Sequence, residues 1–255
     1  MKPISRREML TKTGWLGSMA VAALPLTPTT AQALPDQLPA NRPKLKVIVT
    51  GGHPGDPEYG CGGTIARLSD LGYEIVVLYL NKGEWTDKPS YDPAPVRVAE
   101  AAKACEILKA RPAFAGQIDG KAIVDQDHYD QFHRLIETEQ PDVLLTQWPV
   151  DNHPDHRAVS NLTYEAWKRM GKKCALYFYE VSNGEDTVQF APTDYVDITA
   201  VIPRKRSACY AHASQSPDKF YSLQELVARM RGFESGHQQA EGYIHHVQSP
   251  VFALP

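Results

Sequence analysis

Residues 45–58 read LKVIVTGGHPGDPE, and this stretch determines the fold class. Its first six residues form a short apolar run rich in β-branched side chains, which predicts a buried strand. Glycine and proline then end the run, and a loop carrying His53, Asp56 and Glu58 begins. A buried strand followed at once by such a loop is typical of α/β proteins, whose sites form beyond the carboxyl ends of strands.

Outward from this stretch, apolar runs alternate with helical patterns. Further strands are predicted at 73–80, 143–147 and 175–179, and helices at 64–71, 96–108, 129–139 and 157–170. This alternation is typical of βαβ units and a parallel sheet. It ends near residue 180, and two appended helices are predicted at 204–213 and 223–232. The predicted fold is therefore α/β, a Rossmann-like, mostly parallel sheet with helices on both faces, in a single domain.

A second loop of the same character, DNHPDH at 151–156, follows the predicted strand at 143–147. If the two strands flank the switch point of the sheet, both loops converge on one crevice. His53, Asp56 and His156 then offer two imidazole nitrogens and a carboxylate oxygen. Zinc binds such donors in catalytic sites and keeps one position for water. The pattern therefore predicts a catalytic metal site rather than a closed structural one.

A dinucleotide site is the competing interpretation of the glycines in the first loop. Gly60 and Gly62 are followed by Ile65 where a third glycine is required. The second predicted strand ends at Leu80 and Asn81, without the acidic residue that binds a ribose. The sequence therefore favours the metal site.

The two loops resemble the motifs of the PIG-L/LmbE family of zinc-dependent N-acetylglucosamine deacetylases. That family carries A-H-P-D-D-E after its first strand, sometimes with one extra residue before the glutamate, and H-P-D-H after a later strand. Here they read GHPGDPE at 52–58 and HPDH at 153–156. The likeness spans about 47–179. Further matches lie at Gly62, Gly63, Thr64, Gly83 and Glu84. Arg97 and Glu100 match the family's R-x-x-E helix.

The resemblance implies a role for each matching residue. The positions that match the zinc ligands are His53, Asp56 and His156. His153 matches the histidine that stabilises the oxyanion or protonates the leaving amine, and Asp155 is expected to orient its imidazole. Arg97 matches a sugar-contacting position. The implied cofactor is zinc or another divalent metal, and the implied substrate is an N-acetylated sugar or glycoconjugate.

The chain departs from the family at Gly55, where the family's general-base aspartate stands. Glycine cannot take a proton, and loss of a general base lowers a rate by about 10²–10⁴-fold. Three interpretations are open. Asp155, Glu58 or Glu84 substitutes as the base, or metal-activated water suffices for an easier substrate, or the site binds metal and sugar without turnover.

The sequence thus predicts an enzyme, an exported zinc-dependent N-deacetylase that hydrolyses the N-acetyl group of an amino sugar by metal-activated water. The first alternative is a catalytically weak or inactive metal-dependent glycan-binding protein, because of Gly55. The second is a zinc hydrolase acting on an amide or ester that is not a sugar.

Residues 1–33 have the pattern of an export signal. Arg6 and Arg7 precede an apolar run at 15–26, and the small-x-small triplet Ala-Gln-Ala follows at 31–33. The paired arginines resemble a twin-arginine signal, which implies export in folded form by that machinery to the periplasm or beyond the cell. The run is shorter than the ~20 residues of a spanning helix, so no stable membrane span is expected after cleavage. Residues 34–44 are predicted to be a linker, and 45–255 the deacetylase domain.

Composition excludes two classes of protein. The chain of 255 residues has 27 basic and 30 acidic residues, for a formal charge of −3. Cleavage after Ala33 would leave 222 residues and remove four basic residues and one acidic residue, giving −6. The absence of a basic excess argues against nucleic-acid binding. The 4 cysteines are too few for a disulfide scaffold, although export leaves one disulfide open among three pairings of the four.

Overall fold

The computed structural model describes residues 44–84, 92–182 and 187–255. The predicted signal peptide at 1–33, and the predicted linker except Lys44, lie outside the described residues. The strands are β1 (Lys46–Gly51), β2 (Glu74–Asn81), β3 (Arg111–Gln117), β4 (Val143–Gln147), β5 (Ala175–Tyr179), β6 (Asp194–Asp197) and β7 (Ala240–His245). The helices are α1 (Asp56–Asp70), α2 (Ala94–Leu108), α3 (Gln126–Glu139), α4 (Pro154–Arg169), α5 (Ile202–Tyr210) and α6 (Pro217–Ser235).

The seven described strands form one sheet in the order β3-β2-β1-β4-β5-β7-β6. The first five are parallel, and β7 runs antiparallel to both β5 and β6. The chain winds outward from β1 on one side and from β4 on the other, so the switch point lies between these two strands. This confirms the predicted α/β fold and puts both sequence motifs at the same edge of the sheet.

Helices cover both faces of the sheet, as predicted. Successive residues of a strand point to opposite faces, and β1 shows this clearly. Val47 and Val49 join one apolar cluster with residues of α1 and α2, whereas Ile48 joins a second cluster with residues of α3 and α4. Burial of the central strands on both sides explains why they read as continuous apolar runs.

The six described helices all begin earlier than the sequence predicts, and for α1 and α4 the earlier start lies in a motif loop. α1 begins at Asp56 rather than at residue 64, and α4 begins at Pro154 rather than at residue 157. Each carries a proline in its first turn, where the fixed φ and the missing N–H of proline cost nothing. Asp56 and His156 therefore lie in first helical turns rather than in loops.

Three strands were not predicted, and each has a reason in its sequence. β3 is an edge strand that contains Pro112 and Gly116, residues depleted from central strands. β6 has four residues, and β7 contains Gly242. His245 ends β7 and pairs with Tyr177 of β5.

The cysteines are all buried and free: Cys61, Cys105, Cys174 and Cys209. Burial raises the pKa of the Cys105 thiol to about 12 and that of Cys174 to about 11, so these thiols are unreactive near neutral pH. Cys105 was expected on the buried face of its helix, and it is fully buried there. None of the helices in the described ranges is both long and apolar enough to cross a membrane.

A buried carboxylate from the last strand holds α1 in shape. The helix is kinked at Cys61. The first N–H groups after the kink, like those at any helix start, need hydrogen-bond acceptors from outside the helix. Glu241 accepts from the N–H of Gly63 at 2.8 Å and from the N–H of Thr64 at 2.7 Å, and it pairs with Lys205 Nζ at 2.6 Å. Burial alone would lower the pKa of Lys205, but the attraction of Glu241 outweighs it and raises that pKa.

Substitution of Glu241 by Ala is expected to lower the free energy of unfolding by about 3–5 kcal/mol, because it leaves Lys205 as an unpaired buried charge. Urea unfolding followed by circular dichroism measures the change. Glu225→Ala is the control, since Glu225 makes an exposed pair with Arg229 in the same helix and its loss should cost no more than ~0.5 kcal/mol. Similar small losses in both variants would contradict the structural role of Glu241.

Candidate metal centre

The two motif loops meet at the carboxyl ends of β1 and β4. The N–H of Gly52 donates to Oε1 of Gln147, the last residue of β4, at 2.7 Å. A Cβ at Gly52 would lie 3.0 Å from the ring of His156 and 3.1 Å from Asp56 Oδ2. Glycine therefore lets the first loop approach the second closely enough for their polar side chains to share one crevice.

Asp56 lies between the other two predicted metal ligands. Its Oδ2 is 3.1 Å from His53 Nδ1 and 3.1 Å from His156 Nε2. Donor atoms around a tetrahedral zinc with bonds of about 2.0–2.2 Å are about 3.3–3.6 Å apart. Both distances from Asp56 are close to this spacing, so its carboxylate can share a small divalent cation with each neighbouring histidine.

The outer nitrogen of each predicted histidine ligand contacts a carboxylate. His53 Nε2 lies 3.1 Å from both Asp155 Oδ2 and Asp119 Oδ1, and His156 Nδ1 lies 3.1 Å from Asp151 Oδ1. Histidines that bind metals usually donate their other N–H to a carboxylate or carbonyl, which fixes the ring orientation and increases its basicity. For His53 these contacts are hydrogen bonds, whereas the contact of His156 with Asp151 lacks hydrogen-bond geometry, so the surroundings of His53 match this pattern more fully.

A second donor set shares the crevice, because His153 also contributes a ring nitrogen. The nitrogens of His53, His153 and His156 lie within 4.8 Å of one another. His153 is only half-buried, however, and its ring has no carboxylate partner among the hydrogen bonds of the described residues. We favour Asp56 as the third ligand, because its oxygen lies between the other two and brings the negative charge that a dication requires.

The charges of this cluster are strongly coupled. Although burial opposes its charged form, Asp56 together with Asp119 and Asp155 raises the pKa of His53 well above its usual value. Burial likewise opposes protonation of His156, but Asp56 and Asp151 raise its pKa to about 9. The two imidazoles hold the pKa of Asp56 well below its usual value despite its burial. A bound dication would replace those imidazole protons, so metal affinity should fall with decreasing pH.

His153 and Asp155 are both in the cluster, but their contact differs from the expectation. The backbone N–H of Asp155 donates to His153 Nδ1 at 3.2 Å, which leaves Nε2 as the protonated nitrogen of the neutral ring. The Asp155 carboxylate faces His53 instead and accepts from Asn81 Nδ2 at 2.9 Å and from the Gly120 N–H at 2.8 Å. Orientation of His153 by that carboxylate, as expected from the sequence, is therefore not observed.

Asp119, Asp151 and Asn81 are site residues that the sequence analysis did not assign. Asp119 follows β3, a strand that was itself missed, so its position beyond a carboxyl strand end was not visible in the sequence pattern. Asp151 stands in the quoted second loop, and Asn81 ends β2. Both could have been found from the rule that the carboxyl ends of neighbouring parallel strands line one crevice.

Arg97 lies beside the cluster, as its matched position implies. It is buried, and it donates to Asp119 Oδ2 and to the carbonyl of Pro54, both at 3.3 Å. A Cβ at Gly83 would lie 2.0 Å from its guanidinium, so the glycine makes room for it. Arg97 and the first motif loop line a cavity of about 220 Å³ that leads from Asp56 to the surface.

The backbone explains why glycine is tolerated at position 55. Gly55 has φ of +114°, a conformation that side-chain-bearing residues rarely adopt. Space is not the constraint, since a Cβ there would be 3.7 Å from the Tyr59 ring and 3.9 Å from His212. The loop geometry, rather than crowding, is thus incompatible with the family's aspartate.

The carboxylates that could replace this aspartate differ in their burial and in their hydrogen-bond contacts. Glu58 is fully buried beneath the loop and accepts from the Tyr79 hydroxyl, so it cannot contact a water molecule in the cavity. Glu84 Oε2 accepts from the backbone N–H groups of residues 82 and 119 at 3.2 and 3.4 Å. Asp155 contacts His53 directly, and Asp119 joins it there as a partly exposed carboxylate.

The fold and these side chains define an α/β protein with a candidate divalent-metal centre at the switch point of its sheet. Residues 48–167 match the PIG-L family, described as GlcNAc-PI de-N-acetylase. The diacetylchitobiose deacetylase of Thermococcus kodakarensis is 30% identical over 217 residues, which cover 77% of this chain and 81% of the relative. The chain belongs to the PIG-L family.

Two further relatives agree with this assignment. The probable N-acetyl-alpha-D-glucosaminyl L-malate deacetylase 2 of Bacillus cereus is 25% identical over 183 residues, covering 67% of this chain and 83% of the relative. The crystal structure of the conserved protein TT1542 from Thermus thermophilus superposes with a TM-score of 0.69 and 27% identity, covering 83% of this chain and 98% of that one. The named enzymes among these relatives are deacetylases of substrates that contain N-acetylglucosamine.

Substitution of Gly55 by Ala or by Asp is expected to lower the free energy of unfolding by about 1–3 kcal/mol in each case, because both residues are strained at φ of +114°. Urea unfolding measures this cost. Gly55→Ala serves as the control for Gly55→Asp, since only the latter adds a carboxylate. If both variants were as stable as the wild-type protein, the backbone explanation for Gly55 would be wrong.

Proposed function

We propose that this protein is a zinc-dependent N-deacetylase that hydrolyses the N-acetyl group of an amino sugar or glycoconjugate. The observation that carries the proposal is the Asp56 carboxylate between His53 and His156, with a further carboxylate on the outer nitrogen of each imidazole. Two nitrogen donors and one oxygen donor suit zinc in a catalytic site. The deacetylases among the relatives support the reaction class.

Amide hydrolysis requires several proton transfers, and we assign them to different residues of the cluster. A divalent cation at this centre would lower the pKa of a bound water and polarise the acetyl carbonyl. Asp155 is fully buried, so Asp119, the partly exposed carboxylate beside His53, is assigned to accept the proton of the water as the new C–O bond forms. The neutral His153 ring donates its Nε2 hydrogen to the developing oxyanion. The carboxylate that accepted the proton of the water returns it to the sugar nitrogen as the C–N bond breaks, which yields acetate and the free amine.

The non-catalytic glycan-binding alternative is less well supported. It rested on the missing carboxylate at position 55, and two other carboxylates lie next to His53. The two relatives with a named activity reported above are deacetylases, which also favours turnover. A zinc hydrolase of a non-sugar amide remains the third candidate, and substrate tests distinguish it.

Metal analysis and acetate release test the proposal directly. The purified protein should bind about one equivalent of zinc and release acetate from N-acetylglucosamine or diacetylchitobiose. His53→Ala and a chelator should each abolish release, because the centre loses a ligand or its metal. His128→Ala is the control, since the His128 ring lies in the first turn of α3 and pairs with Asp125, the residue that caps this helix. Metal binding without acetate release would support the glycan-binding alternative, and turnover of non-sugar amides alone would support the third candidate.

We further propose that the protein is exported in folded form to the periplasm or beyond the cell. The support is the sequence of residues 1–33, where Arg6 and Arg7 precede the apolar run and the small-residue triplet. Replacement of both arginines by lysine should retain the uncleaved protein in the cytoplasm, whereas Lys12→Gln should leave export unchanged. Cell fractionation and immunoblotting measure the distribution. Unchanged export of the double variant would overturn the twin-arginine assignment.

A further inference from the structure

We propose that Phe220 is the platform on which the sugar ring of the substrate rests, so that α6 determines how the substrate is recognised. This inference rests on the proposed deacetylase function and adds to it one contact between the protein and the sugar of the substrate. The residues matching the family end at 167, whereas Phe220 lies in the first turns of α6. The platform would therefore be a feature of this chain's C-terminal part rather than of the shared motifs.

The cavity beside the metal centre has two walls of different origin. One wall comes from the first motif loop at 54–56, Tyr59 and Arg97. The other wall comes from Val181, which follows β5, and from Gln215, Phe220 and Gln224 in the C-terminal part of the chain. A ligand that reached Asp56 through this cavity would contact both walls.

The polar groups of the C-terminal wall are held in place by the rest of the protein. The Glu100 carboxylate of α2 accepts from both the N–H and the hydroxyl of Ser214 at 2.7 Å, which fixes the short turn that carries Gln215. Gln224 is buried, and its Nε2 donates to the carbonyl of Ser182 at 2.6 Å. Preordered amides of this kind recognise hydroxyl groups at little entropic cost.

Phe220 adds an apolar surface to this polar wall. Its side chain lines the cavity yet remains 37% exposed. A pyranose ring combines an apolar face of C–H groups with a rim of hydroxyls, and a flat aromatic ring is well suited to bury that face. Arg97 on the opposite wall is buried, and its Nε has no hydrogen-bond partner among the described residues. An aromatic face and fixed polar groups on facing walls match a sugar better than a simple amide.

The size of the cavity limits what it holds. A volume of about 220 Å³ lies below the range of about 300–1,000 Å³ that is typical for drug-sized ligands. One N-acetylhexosamine unit is therefore the expected occupant, with any further sugar of a glycan outside the cavity. The exposed part of Phe220 is then available at the rim for contact with the ring that enters.

Phe220→Ala tests the platform, and Phe233→Ala is its matched control. Both residues are phenylalanines of α6, and Phe233 is 88% exposed and does not line the cavity. Loss of an aromatic contact worth about 0.5–1.5 kcal/mol should raise KM for an N-acetylated sugar about 2–12-fold, with kcat changed less than 2-fold. Phe220→Tyr should restore the wild-type KM, and N-acetylethanolamine, which has no ring, should be hydrolysed equally by wild type and Phe220→Ala.

A binding measurement completes the test. Calorimetry with glucosamine, the deacetylated product, should show the same 2–12-fold weakening in Phe220→Ala and none in Phe233→Ala. Acetate release by the wild type with an unchanged KM in Phe220→Ala would overturn the platform and leave the proposed function intact. An equal rise of KM in Phe233→Ala would also overturn it. Absence of acetate release from every N-acetylated sugar in the wild type would overturn the proposed function itself.

Discussion

The site depends on one carboxylate held between two imidazoles. Asp56 can reach both His53 and His156 only because β1 and β4 are neighbours and their loops approach across Gly52. The parallel sheet supplies that adjacency, and prolines set the starts of the helices that carry Asp56 and His156. The fold and the metal centre therefore depend on the same feature. The winding direction of the chain reverses between the neighbouring buried strands β1 and β4.

Much of this arrangement was predictable from the sequence, for physical reasons. Buried parallel strands such as β1 and β4 read as apolar runs, and β4 was located to the residue. The ligand set followed from residue types and from the resemblance of two short motifs. The missed parts share a property, since β3, β6 and β7 are edge, short or glycine-containing strands whose burial is set by neighbours distant in sequence. Asp119 was missed together with β3.

Gly55 shows how a local departure from a family pattern can have a backbone cause. Its φ of +114° suits glycine, and the structure places other carboxylates on the outer nitrogen of His53. A proton acceptor need not come from the position that usually provides it, provided that a carboxylate lies within reach of the reacting water. Sequence alone did not point to Asp119, because its position beside His53 becomes visible only in three dimensions.

The contact between Glu241 and α1 has a consequence for the order of events during synthesis. The residues grouped at the centre lie between 53 and 156, yet the helix that begins at Asp56 is held by Glu241 of β7, far later in the chain. A growing chain that still lacks β7 contains the metal-binding groups but lacks Glu241, whose carboxylate stabilises the helix that begins at Asp56. Completion of the centre is thereby linked to synthesis of β7, so that a chain interrupted before this strand is poorly prepared to capture metal.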